Sequence, residues 1–138
     1  MKPLDPDLES LLRQWIGKAD ADLDAAEQLA PKAADSILRR EIVGFHCQQS
    51  VEKYIKALLT YDQVEFPKTH HIGRLRMLVE TVHREAAEAM IEAEWLTPFG
   101  ADTRYPWDAT EMLPGDEVKA IETARSVKAL VLGILDAG

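Results

Sequence analysis

An all-α fold, an antiparallel up-and-down bundle of four to five helices, is predicted by three features of this 138-residue sequence. Apolar side chains recur every three or four positions along most of the chain. No strand-like alternation or internal repeat stands out. The helix-breaking residues gather in a few connections. The length suits one domain over residues 1–138, enough to bury about two-thirds of the unfolded surface around a single core.

The first helix is predicted from about Pro6 to Leu29. Pro6 sits where a first turn accepts proline, and Leu8, Leu11, Leu12, Trp15, Ile16, Ala19, Leu23 and Ala26 keep helical period. Pro31 ends it. Asp35 is the expected N-cap of a second helix reaching about Tyr61, with Leu38, Ile42, Phe45, Val51, Tyr54, Ile55, Leu58 and Leu59 on its apolar side. DQVEFPKTHH connects onward, since Pro67 forces Phe66 out of helical geometry and Thr69 can cap the next helix. That third helix is expected from about His70 to Val82, with Ile72, Leu75, Leu78, Val79 and Val82 inward. REAAEAMIEAEWL, Arg84 to Leu96, continues it or forms a fourth. TPFGADTRYPWDATEMLPGD holds three prolines and two glycines without a sustained period and reads as a long loop, the kind more often functional or mobile than ordinary. The last helix is predicted from Asp116 to the C-terminus.

A formal net charge of -8 argues against a domain that coats nucleic acid by neutralising phosphates, leaving a small nucleotide or one strand in a pocket as possible ligands. The one cysteine, Cys47, can form neither an internal disulfide nor a cysteine-based zinc site, which suits a reducing cytoplasm. MKPLDPDLES lacks an apolar core of signal-peptide length, and no run approaches the roughly 20 apolar residues that span a bilayer, so the expectation is a cytoplasmic protein without membrane segments.

On the second helix, His46, Gln49, Lys53, Lys56 and Thr60 progress by three and four positions and form one polar stripe. Spacing alone allows a solvated or interface face as well as a ligand face. FHCQQSVEKYIKALL, followed by EFPKTHHIGRL and DTRYP and preceded by KADADLDAAE, resembles the HEPN family of small helical-bundle proteins, in that family's order from about Trp15 to the C-terminus. The resemblance implies a bundle that commonly dimerises. It also implies a possible partner, the minimal nucleotidyltransferase called MNT, with which HEPN proteins form two-component, often toxin–antitoxin, systems. Some members bind nucleotides and others are metal-independent ribonucleases, so the expected function is a nucleotide-binding and interaction module, with a ribonuclease toxin acting on RNA as the alternative.

HEPN ribonucleases carry an arginine followed four to six residues later by a histidine, a pair that can move a proton and neutralise phosphate charge. Arg104 is followed by YPWDAT, with no histidine in range. Earlier in the chain Arg39 and Arg40 precede His46. Seven positions rotate by about 700°, leaving Arg39 and His46 on nearly one face about 10.5 Å apart along the axis, whereas Arg40 lies roughly 120° away. Arg39 and His46 are therefore the candidate catalytic pair, against a structural or surface role.

Neither a Walker loop nor a G-x-G-x-x-G is present, so side chains would have to hold a nucleotide: Lys53, Lys56, Lys68, His70, Arg104 and Tyr105, with Trp107 as a second stacking candidate. Each also has a structural reading, the lysines as solvated surface, His70 as a helix-start residue, and Arg104 with Tyr105 as an anchor of the long loop. Cys47 points about 100° from His46 and reads as a small buried residue. Glu80 and His83 give a single E-x-x-H, where helical di-metal sites need two, so neither a metal nor a cofactor is expected.

Overall fold

Asp5 starts the first helix by accepting the Asp7 amide on its side chain at 2.9 Å, and Pro6 fills the first turn, where no backbone donor is needed. This helix, α1, spans Pro6–Leu29. The computed structural model describes residues 2–100 and 110–137. A short 3-10 turn, Ala30–Lys32, carries Pro31, and α2 runs Ile37–Tyr61. Its N-cap is Ser36 rather than the expected Asp35. Both residue types can cap, but Ser36 directly precedes the first helical residue and its hydroxyl accepts the Arg39 amide at 3.3 Å.

The third helix is shorter than predicted. α3 covers Ile72–Glu80 with His71 as its cap, and Thr69 instead takes the His71 amide in the turn before it. Ile72, Leu75 and Val79 are buried and Leu78 half-buried, while Val82 falls beyond the helix and is exposed. α4 spans only Arg84–Ala89, after which the chain tightens into a 3-10 helix, Ile91–Phe99. The sequence contains the reason. Met90, Ala93, Leu96 and Phe99 recur with a period of three, and all four are buried. A helix with three residues per turn keeps such a series on one face, where an α-helix would let it drift. Thr97–Phe99 therefore belong to a helix, not to the loop expected from residue 97. α5 runs Asp116–Ala137.

Contacts along the helices fix their directions. Lys2 N donates to Tyr61 Oη at 3.2 Å, Lys53 meets Asp22, and Arg39 reaches back to the Lys32 carbonyl, so α1 and α2 are antiparallel. Arg125 pairs with Glu27 and Lys128 with Asp20, making α5 antiparallel to α1 as well. Small residues let α1 and α2 approach closely. Ala19 and Ala26 are fully buried, and Ser50 donates to the Ala19 carbonyl at 2.9 Å. α2 lies at the centre of the bundle, packed against α1, α3, α5 and the Ile91–Phe99 helix. The described residues contain no strand, and no helix among them is long and apolar enough to cross a membrane.

Candidate functional site

The polar residues of α2 divide between two environments. His46 and Lys53 turn toward α1, where His46 Nδ1 donates to Asp22 Oδ1 at 2.9 Å and Lys53 Nζ to Asp22 Oδ2 at 2.5 Å. One step along, Tyr54 donates its hydroxyl to Asp20, and burial together with that bond raises its pKa well above the ordinary phenol value. The aspartates of KADADLDAAE thus have definite work: two of them hold α2 in register against α1.

The second environment lies on the side of α2 that faces the PKTH turn and the 3-10 helix. Arg40, Gly44, Gln48, Glu52, Lys56 and Thr60 are each four residues apart and all buried. Glu52, 2% exposed, is engaged on both oxygens: Oε2 accepts from Lys56 Nζ at 3.0 Å, and Oε1 lies 2.7 Å from His70 Nδ1. Burying a carboxylate is costly unless it is paired and hydrogen-bonded, and both conditions hold here. Lys56, 7% exposed, also sits beneath two aromatic faces, 5.5 Å from the Trp15 ring centroid and 5.9 Å from that of Phe66.

Gln48 links these groups. Fully buried, its amide nitrogen donates to the His70 carbonyl at 2.9 Å and to Glu52 Oε1 at 3.3 Å, and its oxygen accepts from Gln49 Nε2 at 2.6 Å. Both amide ends are used, which a glutamate could not reproduce without setting a second carboxylate against Glu52. Gly100 lies against this amide so closely that a Cβ there would come within 3.1 Å of it. One turn earlier on α2, Met112 packs over Gly44, where a Cβ would fall 2.2 Å from the methionine methyl. Arg40 secures the same segment, with Nε donating to the Met112 carbonyl at 2.9 Å and Nη1 to those of Ala33 and Ala34 at 3.4 and 2.9 Å. Residues 100 and 112 therefore meet α2 only about 6 Å apart along its axis.

This arrangement differs from the single stripe expected. The residues His46, Gln49, Lys53, Lys56 and Thr60 occupy an arc of roughly 80° on the helix, and the two edges of that arc meet different neighbours. Lys53 and Lys56 are each bound to a carboxylate of this chain, and Lys56 is buried rather than solvated. Lys68 is exposed and His70 half-buried on the PKTH turn. Arg39 and His46 are not brought together: the guanidinium of Arg39 donates to the Lys32 carbonyl at 3.2 Å, while His46 is held by Asp22. Arg104, Tyr105 and Trp107 lie outside the described residues.

Cys47 is buried, and desolvation, reinforced by Glu27, pushes its thiol up to about 12, so it stays protonated at neutral pH. Glu80 and His83 take separate partners, Arg76 at 3.7 Å and Asp62 at 2.7 Å. Among the described residues no group of three or more histidine, cysteine, aspartate or glutamate side chains is placed to hold a metal ion.

Sequence reasoning missed Asp22, Gln48, Glu52 and Arg40 as organising residues. The signal for Glu52 was present, since glutamate four residues before a lysine on one helix is a favoured pair. No curated protein and no solved structure matches the chain. The family model described as HEPN domain matches residues 12–134, nearly the whole chain and every segment that meets at Gln48. The chain belongs to the HEPN domain family.

Proposed function

We propose that this HEPN domain is a nucleotide-binding and interaction module that works with an MNT-type nucleotidyltransferase in a two-component, toxin–antitoxin-like system. The observation that carries the reading is the convergence on Gln48 and Glu52 of the FHCQQ helix, the PKTH turn and Gly100, after which the chain leads to Arg104 and Tyr105. A buried carboxylate and a saturated amide hold the PKTH turn in one place, so Lys68 stands on a preorganised support, and preorganisation lowers the entropic cost of ligand capture. In this reading Lys68 and Arg104 contact phosphate and Tyr105 stacks on the base, while Lys53 and Lys56 stabilise the site through their carboxylates.

Thermal-shift and calorimetric titration with ATP, GTP and AMP test the nucleotide part, with Lys68→Ala and Arg104→Ala expected to weaken binding. Co-expression with an MNT-type nucleotidyltransferase and affinity capture test the partner. No shift with any nucleotide and no complex would remove the reading's support.

A homodimer is the assembly this reading favours. Leu38, Ile42, Phe45 and Gln49 occupy i, i+4, i+7 and i+11 of α2, the spacing of a helix-packing seam, and Leu38 is 69% and Ile42 47% exposed. Light scattering of the wild type and of Leu38→Glu/Ile42→Glu is the test, with loss of a dimer expected in the double variant. The ribonuclease alternative rests on Arg39 and His46, whose side chains have different partners. RNA cleavage in chelator that disappears in His46→Ala would restore it.

A further inference from the structure

A cavity of about 540 Å³ lies between the Ile91–Phe99 helix and α5, and it shares no residue with the site above. Its volume is within the range of sites that enclose a small ligand or a partner's side chains. Ala89, Ala93 and Val127 supply small apolar lining, Trp95 an indole wall, and Glu92 and Glu122 exposed carboxylates. The indole is fixed by its own hydrogen bond, Trp95 Nε1 donating to Thr123 Oγ1 at 3.1 Å. Its face is already used by a cation, since Lys119 Nζ stands 4.3 Å from the ring centroid. Neither Glu92 nor Glu122 forms an ion pair among the described residues, and nor does Lys119, which rests on the ring alone.

Carboxylates left unpaired beside an aromatic face that holds a cation have a definite complement. We propose that this groove docks an arginine side chain from a basic segment of a partner protein, with its guanidinium against Trp95 and its donors shared by Glu92 and Glu122. Arginine fits better than lysine. Its planar fork reaches two carboxylates at once and stacks flat on an indole, whereas an ammonium is a point donor. The cavity extends beyond one side chain, and the alanines admit a small apolar neighbour of that arginine. Lys119 is the internal competitor: it covers the indole in the free protein and must swing aside when the partner's arginine arrives.

The test uses the full chain and two probes of equal charge, the acetylated and amidated peptides Ala-Arg-Ala-Arg-Ala and Ala-Lys-Ala-Lys-Ala. Affinity is measured by calorimetry, and the indole N–H resonance of Trp95, assigned with Trp95→Phe, is followed by NMR. The arginine peptide should bind at least about 3-fold more tightly than the lysine peptide and move that resonance. Glu92→Gln/Glu122→Gln should weaken the arginine peptide by about 10-fold or more, whereas Glu65→Gln/Glu111→Gln, which removes the same charge at exposed positions elsewhere, should change it less than about 2-fold. Lys119→Ala should tighten it by about 3-fold or more, because the competing cation–π contact is gone. Equal weakening in both glutamine pairs, an unmoved Trp95 resonance, or weaker binding in Lys119→Ala would overturn the proposal. All four substituted side chains in the two pairs are exposed, as is Lys119, so none of these variants removes a buried side chain.

Discussion

Replacing Glu52 by glutamine changes one charge and almost no volume at the point where α2 meets the PKTH turn. The Lys56 ammonium, 7% exposed and 3.0 Å from the carboxylate, then keeps its burial and loses its counterion. The rings of Trp15 and Phe66 remain within 6 Å but cannot replace a full opposite charge. Removing one member of a buried pair typically costs about 3–5 kcal/mol, against about 0–1 for a surface pair. For a chain of this length that corresponds to a fall in Tm of roughly 10–20 °C. Urea unfolding at pH 7.5 measures the free energy directly. Lys56→Met separates charge from shape: added to Glu52→Gln it removes the stranded cation, and about 2 kcal/mol should return. A loss below about 1 kcal/mol in Glu52→Gln, or no recovery in the double variant, would show that the pair behaves as a surface pair and that the buried-charge argument is wrong.

Ser36→Ala should lower stability by about 1 kcal/mol through loss of the cap on the Arg39 amide, whereas Asp35→Ala should cost less than about 0.5, by thermal or urea unfolding. Arg40→Met strips donors from the carbonyls of Met112, Ala33 and Ala34, so stability should fall by at least about 2 kcal/mol and amide exchange at Met112 and Leu113 should accelerate. The Cys47 thiol, raised from its ordinary 9.0 to about 12, should resist a thiol reagent at pH 8 until the protein is unfolded. Because the unfolded chain releases this proton first, the stability contribution is complete below about pH 9 and declines as pH rises toward 12. The decline approaches 1.4 kcal/mol per pH unit for one group, and Cys47→Ala should flatten the curve between about pH 9 and 10.

The long periodic helices were legible because their signals are local. Pro6 and Leu29 bound α1 as read, and Tyr61 and Asp116 end and begin helices where the pattern put them. The caps of α2 and α3 shifted by one or two positions because Asp35 and Ser36, like Thr69 and His71, compete with similar chemistry and only backbone geometry separates them. The 3-10 helix was legible only to a period-three count, which a search for helical period absorbs as noise. The candidate site was legible as motifs and not as partners. Periodicity shows that Lys53 and Lys56 lie near one another on α2, but which carboxylate each meets depends on Asp22 arriving from α1 and Glu52 turning inward. Arg40 illustrates the same limit, since its acceptors include a carbonyl 72 positions away.

The attachment of residues 100 and 112 to neighbouring turns of α2 has an entropic consequence. Because Gln48 and Arg40 hold positions 100 and 112 about one helical turn apart, the entropic cost of joining them depends only weakly on the number of residues between, growing by about 0.6 kcal/mol per doubling. Gly44 and Gln48, together with Arg40, thus form a socket on α2 that fixes positions 100 and 112 independently of each other's place in the sequence.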